Sequence, residues 1–274
     1  MPLAGRLMSY LLGPLFRNML MATLLACMVL VLLPILVVVG ASFGATAIPM
    51  FPPSGLSLRW YGEAMTKSVF QEAARNSLWL AVLATVINVP IALAAAHGVL
   101  RVRQSLRPLI EALLLAPLMT PAFVISLAIL VATSDLAVDE PIIRLLLGHV
   151  VITFPYLLRT IMVGLQQINA DVIEAARTLG ASRARVLLHV TIPSIAPGLA
   201  AGMLFAFLIS FDNVSISLFL SNTRTNTLPV AILSYVEYNF DPSLMAVSTM
   251  LVALSLAVVL VMERVAGVRR VLAR

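Results

Sequence analysis

Long apolar runs alternate with short polar breaks along the chain, and six of them are long enough to be helices that cross a bilayer. They cover residues 19–43, 77–98, 109–132, 143–165, 196–220 and 244–262. A helix needs about 20 apolar residues to span the roughly 30 Å hydrocarbon core; the first, third and sixth runs meet this most clearly. The fourth spans only if Arg144 and Arg159 turn outward to the headgroups. The fifth carries one acid, Asp212, well inside it. The pattern predicts an all-α integral membrane protein with six transmembrane helices. Its parts are an N-terminal segment (1–18), an N-terminal helix (19–43), a long loop (44–76), a five-helix core (77–262) that includes a polar loop at 166–194, and a basic tail (263–274).

In the long loop, "IPMFPPSG" has the prolines and glycine of an ordered turn. The stretch that follows, "SLRWYGEAMTKSVFQEAARNS", predicts one or two short helices at the membrane surface, with Trp60 and Tyr61 as interfacial anchors.

Composition agrees: 61% of residues are hydrophobic and 11% charged, against about 25% charged in soluble domains. The first run exceeds the roughly 7–15 apolar residues of a secretory signal, so it is expected to stay as an uncleaved anchor. With six spans both termini share a side, and that side collects 13 of the 18 basic residues, leaving Arg59, Lys67, Arg75, Arg144 and Arg224 opposite. The positive-inside rule makes the first side cytoplasmic. Topology then accounts for the net charge of +6 without any nucleic-acid partner. Cys27 lies inside the first run, where a thiol is ordinarily small apolar filler. No internal repeat is visible, which counts against an inverted-repeat transporter.

Catalytic chemistry has little to work with. There are three histidines, His97, His149 and His189, and no HExxH or CxxC spacing. His149, inside the fourth run, is expected to be a polar contact between helices. A P-loop needs Gly-Lys-Ser/Thr to cradle phosphate, and Lys67, the only lysine, follows Thr66. ATP-driven work therefore requires another polypeptide, and no cofactor or metal is expected in this chain.

The tetrapeptide EAAR occurs twice. At Glu72 to Arg75 it leads into the second run and reads as a polar helix start, with Glu72 and Arg75 as an i, i+3 pair. At Glu174 to Arg177 it sits in the polar loop, within "EAARTLGASRARVLLHVTIP". Asp171 and Glu174 have capping-box spacing, so a helix is expected from about Val172. Val172, Ala175, Ala176 and Leu179 fall on one narrow face. Gly180 suits the left-handed residue that ends such a helix, and Ser182 can cap a second one running through Leu187. Pro193 and Pro197 are expected to stop that second helix before the fifth span. On local physics alone the arginines are equally a solvated, positive-inside face.

Glu174-Ala175-Ala176, Gly180, Val190, Ile192 and Pro193 resemble the E-A-A, Gly, I-x-L-P signature of permease subunits in binding-protein-dependent ATP-binding-cassette importers. The resemblance implies a type I importer transmembrane domain, methionine-permease-like, with a five-helix core behind one extra helix. It implies that Glu174, Ala175, Ala176, Leu179, Gly180 and Arg183 couple to an ATPase dimer, which holds the ATP and magnesium. A second permease subunit, identical or sibling, and a periplasmic or extracellular binding protein complete the implied assembly in a bacterial inner membrane. "LISFDNVSISLFLSNTRTNTLPVAILSYVE" and "NFDPSLMAVSTMLVALSL" are more narrowly similar to spermidine/putrescine importer permeases, and share much with permeases for ferric iron, thiamine and aminophosphonates.

Asp212 is the strongest candidate for the substrate path, since an intramembrane acid costs about 2.5–3.5 kcal/mol on insertion scales. Phe211, Asn213, Tyr235 and Glu237 are candidates beside it. A carboxylate there suits a cationic amine; equally, it can pair with an arginine or with a partner helix. A secondary transporter or channel driven by an ion gradient is the alternative of a different class, and it leaves the polar loop without a role.

Overall fold

The computed structural model describes the backbone of residues 3–239 and 241–266 and the side chains of 16–239 and 241–264. The tail from 267 onward and the side chain of Arg6 lie outside the described residues. Helices α1 (Leu3–Ser42), α2 (Arg59–Thr66), α3 (Ser68–Arg101), α4 (Arg107–Leu115), α5 (Ala122–Asp135) and α6 (Pro141–Gln166) are followed by α7 (Ala170–Thr178), α8 (Arg183–Val186), α9 (Ile192–Phe211), α10 (Val214–Leu220), α11 (Leu228–Tyr238) and α12 (Ser243–Ala266). Five stretches are long and apolar enough to cross a membrane: Phe16–Ser42, Ser68–Arg101, Pro141–Gln166, Arg183–Phe211 and Ser243–Arg264. The third predicted run is not straight. Its two helices meet at 95° and make a sixth span only if the bent pair counts as one. At 1.5 Å per residue α4 is ~14 Å and α5 ~21 Å long, each short of the bilayer core. Pro117 and Pro121 explain the break, because each lacks an N–H and disfavours helix in the residue before it.

The chain forms two compact units, Met1–Ala64 with Asn239–Met250, and Met65–Tyr238 with Leu251–Arg274. In the first, residues 16–36 of α1 are exposed throughout, Cys27 included, so the thiol packs no core among the described residues. The loop after α1 is ordered as expected: Ala45 N–H donates to Gly55 at 3.1 Å, and Ser57 N–H to Phe43 at 2.8 Å. Trp60 differs from the expected interfacial anchor. It is buried, and its Nε1–H donates to the Gly44 carbonyl at 2.8 Å, while Tyr61 shares a 2.6 Å hydrogen bond with Ser42. A buried indole N–H needs an acceptor, and the turn supplies one.

In the second unit α3, α6 and α9 pack together. Their core joins Ala92, Ala96 and Val99 of α3 to Leu157, Leu158, Ile161 and Met162 of α6 and Ile195 and Ala206 of α9. A second cluster joins Leu80, Ile125 and Leu145 to Ile216 and Leu220 of α10. Helix α3 begins nine residues before the run at 77, so the first EAAR lies within its opening turns. Glu72 and Arg75 are both exposed and form no ion pair among the described residues, unlike the expected i, i+3 contact. Arg144 turns back to the preceding loop, where Nε donates to the Val138 carbonyl at 2.8 Å and a terminal nitrogen lies 3.2 Å from Asp139.

Lipid tails are as apolar as leucine, so helices in a bilayer associate through close packing and polar contacts. Gly202 lets α9 approach α6 closely: a Cβ there would overlap Thr160 Oγ1 and lie 3.4 Å from Leu157 Cδ2. Gly202→Val is expected to lower stability by ~1–3 kcal/mol, measured as denaturant or thermal unfolding of the purified protein in detergent. Gly98→Ala, where a Cβ would meet nothing within 4 Å, should gain stability through helix propensity, by up to ~1 kcal/mol. Equal behaviour of the two variants would contradict the close-packed α6–α9 seam.

Candidate functional site: from the polar loop to the break at Asp212

Helix α7 starts two residues earlier than the capping-box spacing suggests. The cap is Asn169, whose extended backbone lets its side chain accept the Asp171 N–H at 3.0 Å. Asp171 therefore falls in the first turn, where a carboxylate favours the helix dipole. At the other end Gly180 is left-handed, with φ 83°. Its N–H donates to Arg177 at 2.9 Å, and that of Ala181 to Ala176 at 3.1 Å. This is a Schellman motif, in which a glycine satisfies the last carbonyls without a Cβ clash. Ser182 Oγ then accepts the Arg185 N–H at 3.3 Å to start α8.

Val172, Ala175 and Leu179 are exposed, Leu179 by 89%, whereas Ala176 is half-buried. Glu174 and Arg183 are exposed and make no side-chain hydrogen bond or ion pair among the described residues. The loop thus presents a small apolar face and an unspent carboxylate together.

Pro193 and Pro197 do not stop the second helix. A π turn at Leu187–Thr191 carries α8 into α9, so Arg183–Phe211 is one continuous span. Proline removes an i→i−4 donor and crowds the preceding turn; the wider π turn accommodates this just before Pro193. The predicted fifth run at 196–220 instead breaks at Asp212 and Asn213. Asp212 ends α9, and the Asn213 side chain caps α10 by accepting the Ile216 N–H at 2.7 Å. Asp212 is exposed, and its carboxylate forms no hydrogen bond or ion pair among the described residues, so no described arginine neutralises it. Phe211 is buried and stacks on Phe207, with ring centroids 5.7 Å apart.

The break is bridged by His149 of α6. Its Nδ1 lies 2.8 Å from Ser210 Oγ on α9 and its Nε2 3.2 Å from Ser217 Oγ on α10. A neutral imidazole has one donor and one acceptor nitrogen, which two hydroxyls can satisfy in either tautomer. The network continues through Thr153, which donates to the His149 carbonyl at 2.6 Å and accepts from Asn88 of α3 at 2.7 Å. His149 is therefore a contact between helices, as expected. Ser210 and Ser217 belong to the polar positions of the fifth apolar run, whereas Asn88 lies outside the sequence candidates although it too is a polar residue inside an apolar run.

Tyr235 and Glu237 lie on α11, a helix where a loop was expected. Pro229 near its start and the apolar run LPVAIL favour a helix too short to span. Lys67 Nζ donates to the Tyr235 hydroxyl at 2.6 Å and sits 4.8 Å from its ring centroid, with Phe70 packed alongside. Glu237 is exposed. No hydrogen bond, ion pair or ring contact joins Tyr235 or Glu237 to Phe211, Asp212 or Asn213 among the described residues.

The model of the family described as "Binding-protein-dependent transport system inner membrane component" matches residues 88–269. The spermidine/putrescine transport system permease protein PotC of Escherichia coli is 28% identical over 234 residues, covering 85% of this chain and 88% of that protein. The putrescine transport system permease protein PotI of Escherichia coli is 28% identical over 225 residues, covering 80% of each. A solved bacterial alginate ABC transporter, in complex with alginate pentasaccharide-bound periplasmic protein, shares the fold with a TM-score of 0.70 at 15% identity, covering 94% of each chain. The match spans well over half of the sequence and includes the polar loop, the π turn and the break at Asp212, and the chain belongs to the family of inner-membrane components of binding-protein-dependent transport systems.

Proposed function

We propose that this permease carries a polyamine such as spermidine or putrescine into the cell by alternating access, driven by ATP hydrolysed on a partner subunit. The observation that carries the proposal is mechanical continuity. The loop containing Glu174 and Gly180 leads through α8 and the π turn, without a break, into the helix that ends at Asp212. A push on the loop reaches the acid along one continuous helix. Polyamine permeases among the relatives support the substrate class, as does a carboxylate that no cation among the described residues neutralises.

In this mechanism Val172, Ala175 and Leu179 lie against a cleft of an ATPase dimer, and Glu174 gains a polar partner there. ATP and magnesium belong to that dimer. A second permease, identical or sibling, supplies the other half of the path, and an external binding protein delivers the solute. In this reading both termini face the cytoplasm, which the distribution of basic residues supports. Asp212 offers its charge to the passing ammonium, with Asn213, Tyr235 and Glu237 nearer the mouth.

Three substitutions test this in proteoliposomes that hold the complete transporter. Glu174→Ala, or Gly180→Val, which strains a left-handed backbone, should lower spermidine uptake per ATP hydrolysed by ~5- to 150-fold, the usual range of coupling between sites. Insertion should be unchanged; wild-type uptake by both variants refutes the coupling role. Asp212→Asn should lower uptake by ~10- to 150-fold, the worth of a charge-assisted contact, with assembly intact. Equal loss of assembly and uptake would assign Asp212 a structural role instead.

A further inference from the structure

Between the end of α3 and the polar loop lies a cavity of about 510 Å³, whose lining includes Arg101, Arg177 and Arg183 together with Pro90, Leu93, Ala94 and His97 of α3. No aspartate or glutamate lines it. None of the three guanidinium groups has a hydrogen bond or ion pair among the described residues. Three like charges around one cavity call for an anion, since each repels the others and no described carboxylate lines the cavity. The apolar wall says what kind. From Arg101 back to Pro90 is eleven residues of α3, ~16 Å along the helix, so the cavity runs from the charged end well into the depth of the bilayer. A free phosphate or an acidic protein segment would use the charged end alone. A molecule with a phosphate at one end and hydrocarbon at the other would use both.

We propose that this cavity binds an anionic phospholipid of the cytoplasmic leaflet. The phosphate lies among Arg101, Arg177 and Arg183, and the glycerol and first acyl carbons lie along Pro90, Leu93 and Ala94. Basic pockets at the cytoplasmic ends of membrane helices hold such headgroups, and guanidinium matches phosphate in a two-pronged geometry. The proposal rests on the orientation given above, which places the α3 terminus at Arg101 in the cytoplasm. Arg177 and Arg183 also flank the proposed ATPase-docking loop, so a bound lipid would steady that loop from its membrane side.

The test uses the assembled transporter, reconstituted in vesicles of phosphatidylcholine with equal parts of phosphatidylglycerol, extracted, and weighed by native mass spectrometry for retained phosphatidylglycerol. Each arginine near the surface is worth about fivefold in binding. Arg101→Gln should therefore lose about fivefold of the retained lipid, and the triple glutamine variant on the order of a hundredfold. Arg103→Gln, exposed and outside the cavity, should lose none. Ala94→Phe should weaken retention by filling the apolar side with every charge in place. Four results would overturn the proposal. These are equal retention by all variants, equal loss from Arg103→Gln, no effect of Ala94→Phe with inorganic phosphate competing freely, or lipid held by the permease alone and expelled when the ATPase is present. The last would give the cavity to the ATPase interface. Glu174→Ala should keep the lipid, so a failed coupling role and a failed lipid site are separable.

Discussion

A run of buried hydrogen bonds, from Asn88 through Thr153 to His149 and on to Ser210 and Ser217, sets which faces of α3, α6, α9 and α10 meet. Apolar burial does not select partners in a bilayer, because lipid is as good a neighbour as leucine. Polar atoms do select, since none is satisfied by hydrocarbon. Each bond is worth only about 0.6 kcal/mol on average, but a slipped register would break several together. Gly202, and Gly148 where a Cβ would meet Ile216 Cγ2 at 2.5 Å, bring the helices near enough for the bonds to form.

That network also holds the joint on which the mechanism turns. Ser210 precedes the Asp212–Asn213 break and Ser217 follows it, so His149 grips both sides of the joint. Ser126 of α5 adds a second hold on α10 by donating to the Ser215 carbonyl at 3.3 Å. Helix α10 is thereby fixed to α5 and α6, while α9 is continuous with the polar loop at its far end. Because the same histidine holds both α9 and α10 to α6, any displacement that the proposed coupling sends along α9 would act on this joint, beside the Asp212 carboxylate.

Much of this was legible in residues whose chemistry is local. Gly180 at a helix end and Ser182 as a cap behave as their types dictate, because each answers to bonds within a few residues. The unusual loop announced itself through charge in an apolar chain. Long-range features were not legible. Counting apolar residues through Pro117 and Pro121 hid a 95° bend, and two prolines after the loop pointed to a stop where a π turn carries the helix on. Asp171 lost the cap to Asn169 because both suit the role, and the backbone conformation decides. Trp60 pointed to the membrane interface on composition, yet its N–H found the Gly44 carbonyl, a partner sixteen residues earlier.

The central claim is that ATP, and no ion gradient, drives this permease through its polar loop. The direct measurement is labelled-spermidine uptake into proteoliposomes that contain the chain with its ATPase, second permease and loaded binding protein. Uptake should require ATP on the side of the polar loop and continue with all ion gradients collapsed. Uptake driven by an imposed proton or sodium gradient in the absence of ATP would contradict it.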